Sequence, residues 1–151
     1  MTSSYSFRQS HIGLCVSDLA VALRFYRDGL GCEDGPYFNI DHPISEMSGD
    51  VRLVSKFVRS GDLRIEFLAF AAPTATGAPS SKRNELGLTH LSFKVEDIDI
   101  AAARLVAYGG TVIEGTRSCP DGGVHIIFVA DPDGTRVELM AFPPDYRWPW
   151  H

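Results

Sequence analysis

Two His and two Glu stand at matched places along this chain, and these are residue types that hold a divalent metal. His11 opens the run His11-Ile12-Gly13-Leu14-Cys15-Val16, and His90 opens His90-Leu91-Ser92-Phe93-Lys94-Val95. The spacing from His11 to His90 equals that from Asp18 to Asp97 and from Gly31 to Gly110. Further on, Arg64-Ile65-Glu66-Phe67-Leu68-Ala69-Phe70 matches Arg136-Val137-Glu138-Leu139-Met140-Ala141-Phe142. A duplicated fold does not require His and Glu at its duplicated positions, so the matched set points to chemistry. Two imidazoles and two carboxylates leave an octahedral ion two open positions for a substrate or water. Such an ion can act as a Lewis acid on an oxygen bound at those positions. Zn, Ni, Co, Mn and Fe(II) all accept this nitrogen and oxygen set, so the ligands imply one divalent metal per site without naming it.

The elements that must position these residues repeat as well. His11 to Val16 reads as a strand, and Ser17 or Asp18 can cap the helix that follows. Leu19, Ala22, Leu23, Tyr26 and Leu30 recur at helical spacing, with Gly29 and Gly31 at the end. Strand-like runs follow over 32–38, 51–58 and 63–70, the last two joined by the hairpin residues Arg59-Ser60-Gly61-Asp62. Residues 71–86, rich in Pro, Ala, Ser and Thr, read as a linker. The pattern then restarts with a strand over 88–95. A helix with Ile98, Ala101, Ala102 and Leu105 on one face ends at Gly109-Gly110, and strands follow over 111–115, 124–130 and 135–142. Asp131-Pro132-Asp133-Gly134 is turn chemistry between the last two. The expected fold is α+β: two tandem βαβββ modules, about 8–70 and about 87–142, curling a mixed β-sheet into a cup. The tail 143–151 (PPDYRWPWH) cannot be a helix interior and is expected to pack across a surface or cover an opening.

Strand alternation sets the ligands apart from the core. Ile12, Leu14 and Val16 share one face, so His11, Gly13 and Cys15 take the other. Leu91, Phe93 and Val95 oppose His90, Ser92 and Lys94. Glu66 opposes Ile65 and Phe67, and Glu138 opposes Val137 and Leu139. The apolar set of each strand is expected to pack on the helix of its own module. A pseudo-twofold axis between modules would gather the four ligands.

Composition sets bounds. The 151 residues make one domain of two halves, with hydrophobic residues at 44% and charged residues at 22%. The formal charge of −5, from 14 basic and 19 acidic side chains, and the lack of any basic run argue against a nucleic-acid partner. Cys15, Cys32 and Cys119 are odd in number and show no metal-type spacing, so they read as reduced thiols. No stretch is long and apolar enough to suggest a signal peptide or a bilayer span. A cytoplasmic protein with no membrane partner is expected.

The motifs HIGLCVSDLAVALRFYRDGLG, THLSFKVEDID and DPDGTRVELMAF, set within the duplication, resemble the vicinal oxygen chelate superfamily. That superfamily groups glyoxalase I, methylmalonyl-CoA epimerase, extradiol dioxygenases and the bleomycin- and fosfomycin-resistance proteins. The resemblance runs from His11 to Phe142 and is nearest to the glyoxalase I and methylmalonyl-CoA epimerase branch. It implies that His11, Glu66, His90 and Glu138 ligate the metal. It also implies that Glu66 or Glu138 serves as the base that takes the substrate proton. The implied activity is that of a metal-dependent isomerase or lyase acting on a small carbonyl compound such as an acyl-CoA. Methylmalonyl-CoA epimerases usually carry Gln where Glu66 stands. Related proteins are commonly dimers, which implies a homodimer with two equivalent sites. Where glyoxalase I holds an Arg and an Asn against the glutathione glutamyl group, this chain has Cys15 and Phe70, which cannot clamp a charged group.

Two other readings compete. An Fe(II) dioxygenase needs only two His and one Glu, and Glu66 would fill a position that oxygen chemistry uses. A non-catalytic drug-binding module would not need an intact ligand set. Glu46, His42 and His125 are outside candidates for the base. Asp18 and Asp97 read as helix caps. Arg64 and Arg136 share the ligand-side parity of the Glu residues but read as structural, and Lys94 reads as solvent-exposed.

Overall fold

β1 (Ile12–Val16) forms where branched and aliphatic residues alternate with Gly13 and Cys15. The computed structural model describes residues 6–120 and 123–147. They fall into two compact units: residues through Leu19 with Cys32–Ala75, and Ala20–Gly31 with the chain from Thr76 onward.

The first unit is a four-stranded sheet in the order β1-β4-β3-β2, with β2 at Glu33–Asp41, β3 at Arg52–Ser60 and β4 at Leu63–Ala72. β1 runs parallel to β4 and the other pairings are antiparallel. The β3–β4 hairpin turns at Gly61-Asp62, where Gly61 has φ +58, a conformation that favours glycine. Val16, Val58, Ile65 and Phe67 are buried on the face opposite Glu66. At roughly 1.5–3 kcal/mol for each fully buried apolar side chain, they outweigh the exposed Arg59–Glu33 ion pair. Lys56 is buried on the same apolar face, with its ammonium donating to Asp34 Oδ2 at 2.9 Å and to the Gly35 carbonyl at 2.6 Å.

The second unit repeats the sheet order as β5-β8-β7-β6, from β5 (Leu91–Lys94), β6 (Thr111–Val112), β7 (His125–Ala130) and β8 (Arg136–Ala141). α2 (Ile98–Ala107) packs against β6, β7 and β8 and buries Ile98, Ala102 and Leu105. Asp97 caps it as expected, its carboxylate accepting from the backbone N–H groups of Asp99 and Ile100 at 2.8 and 2.9 Å. Leu91, Ile127, Val129, Val137 and Leu139 form the buried face of this sheet.

The first helix departs from expectation. α1 (Leu19–Leu23) widens into a π-helical turn over Arg24–Gly29, closed by Leu30 N–H on the Phe25 carbonyl at 2.9 Å. Widening brings the adjacent Phe25 and Tyr26 into the core together, although simple helical spacing selects Tyr26 alone. From Ala20 onward this helix groups with the second unit and not with its own module's sheet. Arg104 donates to the Gly29 and Asp28 carbonyls at 2.6 and 2.8 Å, and Arg24 to the Ala107 carbonyl at 2.8 Å. A Cβ at Gly29 would come within 2.9 Å of the Tyr108 side chain, and one at Gly110 within 2.7 Å of the Phe25 ring. The Tyr26 hydroxyl donates to Asp131 at 2.9 Å, and Asp131 in turn accepts from the Asp133 and Thr135 N–H groups of its turn. Burial pushes the Asp131 carboxyl above its ordinary range, against the pull of those donors.

β5 and β6 are shorter than the sequence suggests; Leu88, expected inside a strand, is exposed ahead of β5. In the tail, the Tyr146 N–H closes a turn on the Pro143 carbonyl, and the Phe142 and Tyr146 rings lie 4.8 Å apart. The remaining tail residues, Trp148 to His151, lie outside the described residues. None of Cys15, Cys32 and Cys119 is in a disulfide. Burial raises the Cys32 thiol to about 11, so it is inert at neutral pH. No helix among the described residues is long and apolar enough to cross a membrane.

Candidate metal centre

Each unit brings one His and one Glu together at the edge of its sheet. His11 stands one residue before β1, and Gly13 pairs across to Glu66 on β4. His11 Nε2 lies 3.1 Å from Glu66 Oε2. In the second unit His90 stands one residue before β5, and Ser92 pairs across to Glu138 on β8. His90 Nε2 lies 3.5 Å from Glu138 Oε2. The face set by alternation is therefore the observed one in both sheets.

The surroundings of the two pairs repeat too. A hydroxyl from the preceding residue holds each Nδ1: Ser10 on His11 at 3.0 Å and Thr89 on His90 at 2.7 Å. A Phe ring stands edge-on to each imidazole: Phe57 at 5.3 Å and 83° from His11, Phe128 at 5.2 Å and 85° from His90. Each Phe is the direct cross-strand partner of the Glu beside it. A Ser hydroxyl donates to each carboxylate, Ser55 to Glu66 Oε1 at 2.5 Å and Ser92 to Glu138 Oε2 at 2.7 Å. Alternation puts Ser92 on the side of His90, but none of these six supporting residues was assigned to the site from the sequence. Ser10 and Thr89 keep the repeat spacing, which is a further signal. Ser55 and Ser92 come from non-equivalent strands, so the repeat could not pair them.

A hydroxyl on Nδ1 fixes the orientation of each ring with Nε2 facing the Glu carboxylate, and metal-binding imidazoles are oriented through their second nitrogen in the same way. Two donors about 2.1 Å from one ion and at right angles are roughly 3 Å apart. The His–Glu separations in both pairs suit that arrangement, and both pairs are partly open to solvent. The nitrogen and oxygen donors fit a divalent first-row metal. Among the described residues no group of three or more His, Cys, Asp or Glu is placed to hold an ion, so each pair is half of the expected ligand set.

The outside candidates lie elsewhere. His42 and Glu46 are exposed in the β2–β3 loop, with Glu46 at φ 72. His125 takes the face of β7 opposite to Phe128 and Glu138, where Nε2 lies 4.0 Å from Cys119 Sγ. Lys94 is exposed, with its ammonium 5.6 Å from the Phe142 ring. Cys15 and Phe70 lie on the Glu66 side of the first sheet, next to Leu68, and bring no charge to it.

A family model of the Glyoxalase/Bleomycin resistance protein/Dioxygenase superfamily matches residues 8–139. The chain belongs to this superfamily. It is 30% identical over 140 residues to an ethylmalonyl-CoA/methylmalonyl-CoA epimerase of Cereibacter sphaeroides, a match covering 87% of this chain and 96% of the relative. The crystal structure of a glyoxalase family protein from Bacillus cereus shares the fold at a TM-score of 0.76 and 20% identity, covering 93% of this chain and 97% of that one. The fosfomycin resistance protein FosX of Listeria monocytogenes, solved with Mn(II) and sulfate ion, matches with a TM-score of 0.59 and 22% identity over 93% of this chain and 97% of that one. The two βαβββ modules expected from the sequence are thus a glyoxalase-type fold.

Proposed function

We propose that this chain is a divalent-metal-dependent isomerase or lyase, with His11, Glu66, His90 and Glu138 as ligands of one ion. The observation that carries this reading is the duplicated His–Glu pair, each with its hydroxyl-held Nδ1. When bound, the ion supplies Lewis acidity to a substrate carbonyl and stabilises enolate charge. The chain's own residues orient the donors and move the proton. Ser55 and His11 engage both oxygens of Glu66, whereas Ser92 and His90 both engage Oε2 of Glu138. Oε1 of Glu138 has no hydrogen-bond donor among the described residues, so Glu138 is better placed to take the proton.

The substrate class is a small carbonyl compound with an acidic α-hydrogen, and an acyl-CoA thioester fits best. The epimerase likeness supports this choice. The uncharged surface of Cys15 and Phe70 argues against a glutathione adduct. The test is a solvent-deuterium exchange screen with metal-loaded protein. Exchange at the α-carbon of an acyl-CoA is expected, with little turnover of the glutathione–methylglyoxal hemithioacetal. Robust turnover of the hemithioacetal without thioester exchange would reverse the assignment.

The same reading includes a homodimer with two equivalent sites in a reducing cytoplasm. Each unit holds two of the four ligands, and the largely exposed linker 71–86 is long enough to let the halves pair within one chain or between two. Light scattering is expected to give twice the mass of the chain. A monomer at micromolar concentration with full metal occupancy rules the dimer out.

A further inference from the structure

Arg64 and Arg136 occupy matched positions, two residues before the two Glu ligands, yet their surroundings differ. Arg64 is exposed, while Arg136 is only 7% exposed. Arg136 shares the β8 face of Glu138. Its guanidinium carbon lies 4.8 Å from the centre of the Phe128 ring, the ring that stands edge-on to His90. Arg83, from the linker, approaches the same ring at 4.6 Å. One Arg136 nitrogen, Nη1, donates to the Ser81 carbonyl at 3.1 Å, but Nε is buried with no hydrogen-bond partner.

A buried N–H of a cation left without an acceptor is unfavourable, and two like charges against one ring repel each other. Neither guanidinium forms an ion pair among the described residues. Glu138 accepts from Ser92 and faces His90 through Oε2, and its Oε1 accepts from neither guanidinium. The linker around Arg83 is ordered by its own bonds: Glu85 accepts from the Ser80 hydroxyl at 2.6 Å and the Ser81 N–H at 3.1 Å. An anion would satisfy the Arg136 Nε and offset both charges. We propose that Arg83 and Arg136 form a subsite for an anionic group, a carboxylate or a phosphate, beside the His90–Glu138 pair. Guanidinium groups suit both anions, because their N–H groups form a planar fork that matches two oxygens. The description of that anion as part of the substrate rests on the proposed function; its binding does not.

The test titrates metal-free protein with inorganic phosphate and, separately, with malonate, followed by calorimetry. One equivalent of at least one anion is expected to bind. Arg83→Ala and Arg136→Lys should each weaken binding by about tenfold or more, while Arg64→Ala leaves it unchanged. Arg83 lies on an exposed loop, so its variant reports even if a change at the buried Arg136 disturbs folding. A preference for malonate assigns the subsite to a substrate carboxylate, and a preference for phosphate assigns it to a phosphate group. The proposal fails if neither anion binds the wild type, or if Arg83→Ala binds as tightly as the wild type. Binding of the anion by a protein that takes up no metal would retain this subsite and defeat the proposed function.

Discussion

His90→Ala is expected to leave the purified protein with less than about a tenth of its metal. The substitution removes one of two nitrogen donors and leaves Glu138 held by Ser92 alone. Losing a first-row metal ligand weakens binding far more than losing a supporting hydrogen bond, which itself typically lowers affinity 10–100-fold, as an order-of-magnitude range. The imidazole of His90 is about one-third exposed, at 31%, so the change leaves the core intact. Circular dichroism should therefore match the wild type while elemental analysis shows the loss. The matched variant His11→Ala should behave alike, because Phe57, Ser10 and Glu66 surround His11 as Phe128, Thr89 and Glu138 surround His90. Stoichiometric metal in either variant would remove that His from the ligand set.

The His–Glu pairs were legible in the sequence because two periodicities coincide there. Repeat spacing selected the residues, and strand alternation put them on the face away from Ile65 and Val137. The supporting residues depend on cross-strand register, which a single strand does not encode. Ser55 reaches Glu66 only because β3 lies antiparallel to β4 with Phe57 opposite Glu66. The partner of the first helix was hidden for another reason. Its apolar residues say that it buries a face, not which unit receives it. The decisive contacts, Tyr26 to Asp131 and Arg104 to the Gly29 carbonyl, join residues far apart in sequence. Arg64 and Arg136 are one residue type at one repeat position. What separates them is the linker, whose composition suggests a spacer but which places Ser81 and Arg83 beside Arg136 and Phe128.

Glu138→Gln is expected to lower α-proton exchange by about 10²–10⁴-fold, the usual contribution of a positioned general base. The amide oxygen can still accept from Ser92 and can still serve as a metal donor, so metal content should fall much less than exchange does. Glu66→Gln provides the contrast. Both Glu66 oxygens are engaged, by Ser55 and His11, and an amide keeps one oxygen for that role. The resemblance to methylmalonyl-CoA epimerases, which usually have Gln at this position, points the same way. Exchange by Glu66→Gln should therefore stay within about tenfold of the wild type. The two variants are compared at equal metal occupancy, with exchange followed by NMR. If Glu66→Gln is the inactive variant and Glu138→Gln the active one, the roles of the two carboxylates are reversed. If neither variant slows exchange, Glu138 is not the required base, and the double variant Glu66→Gln/Glu138→Gln then decides whether the base lies outside the ligand set.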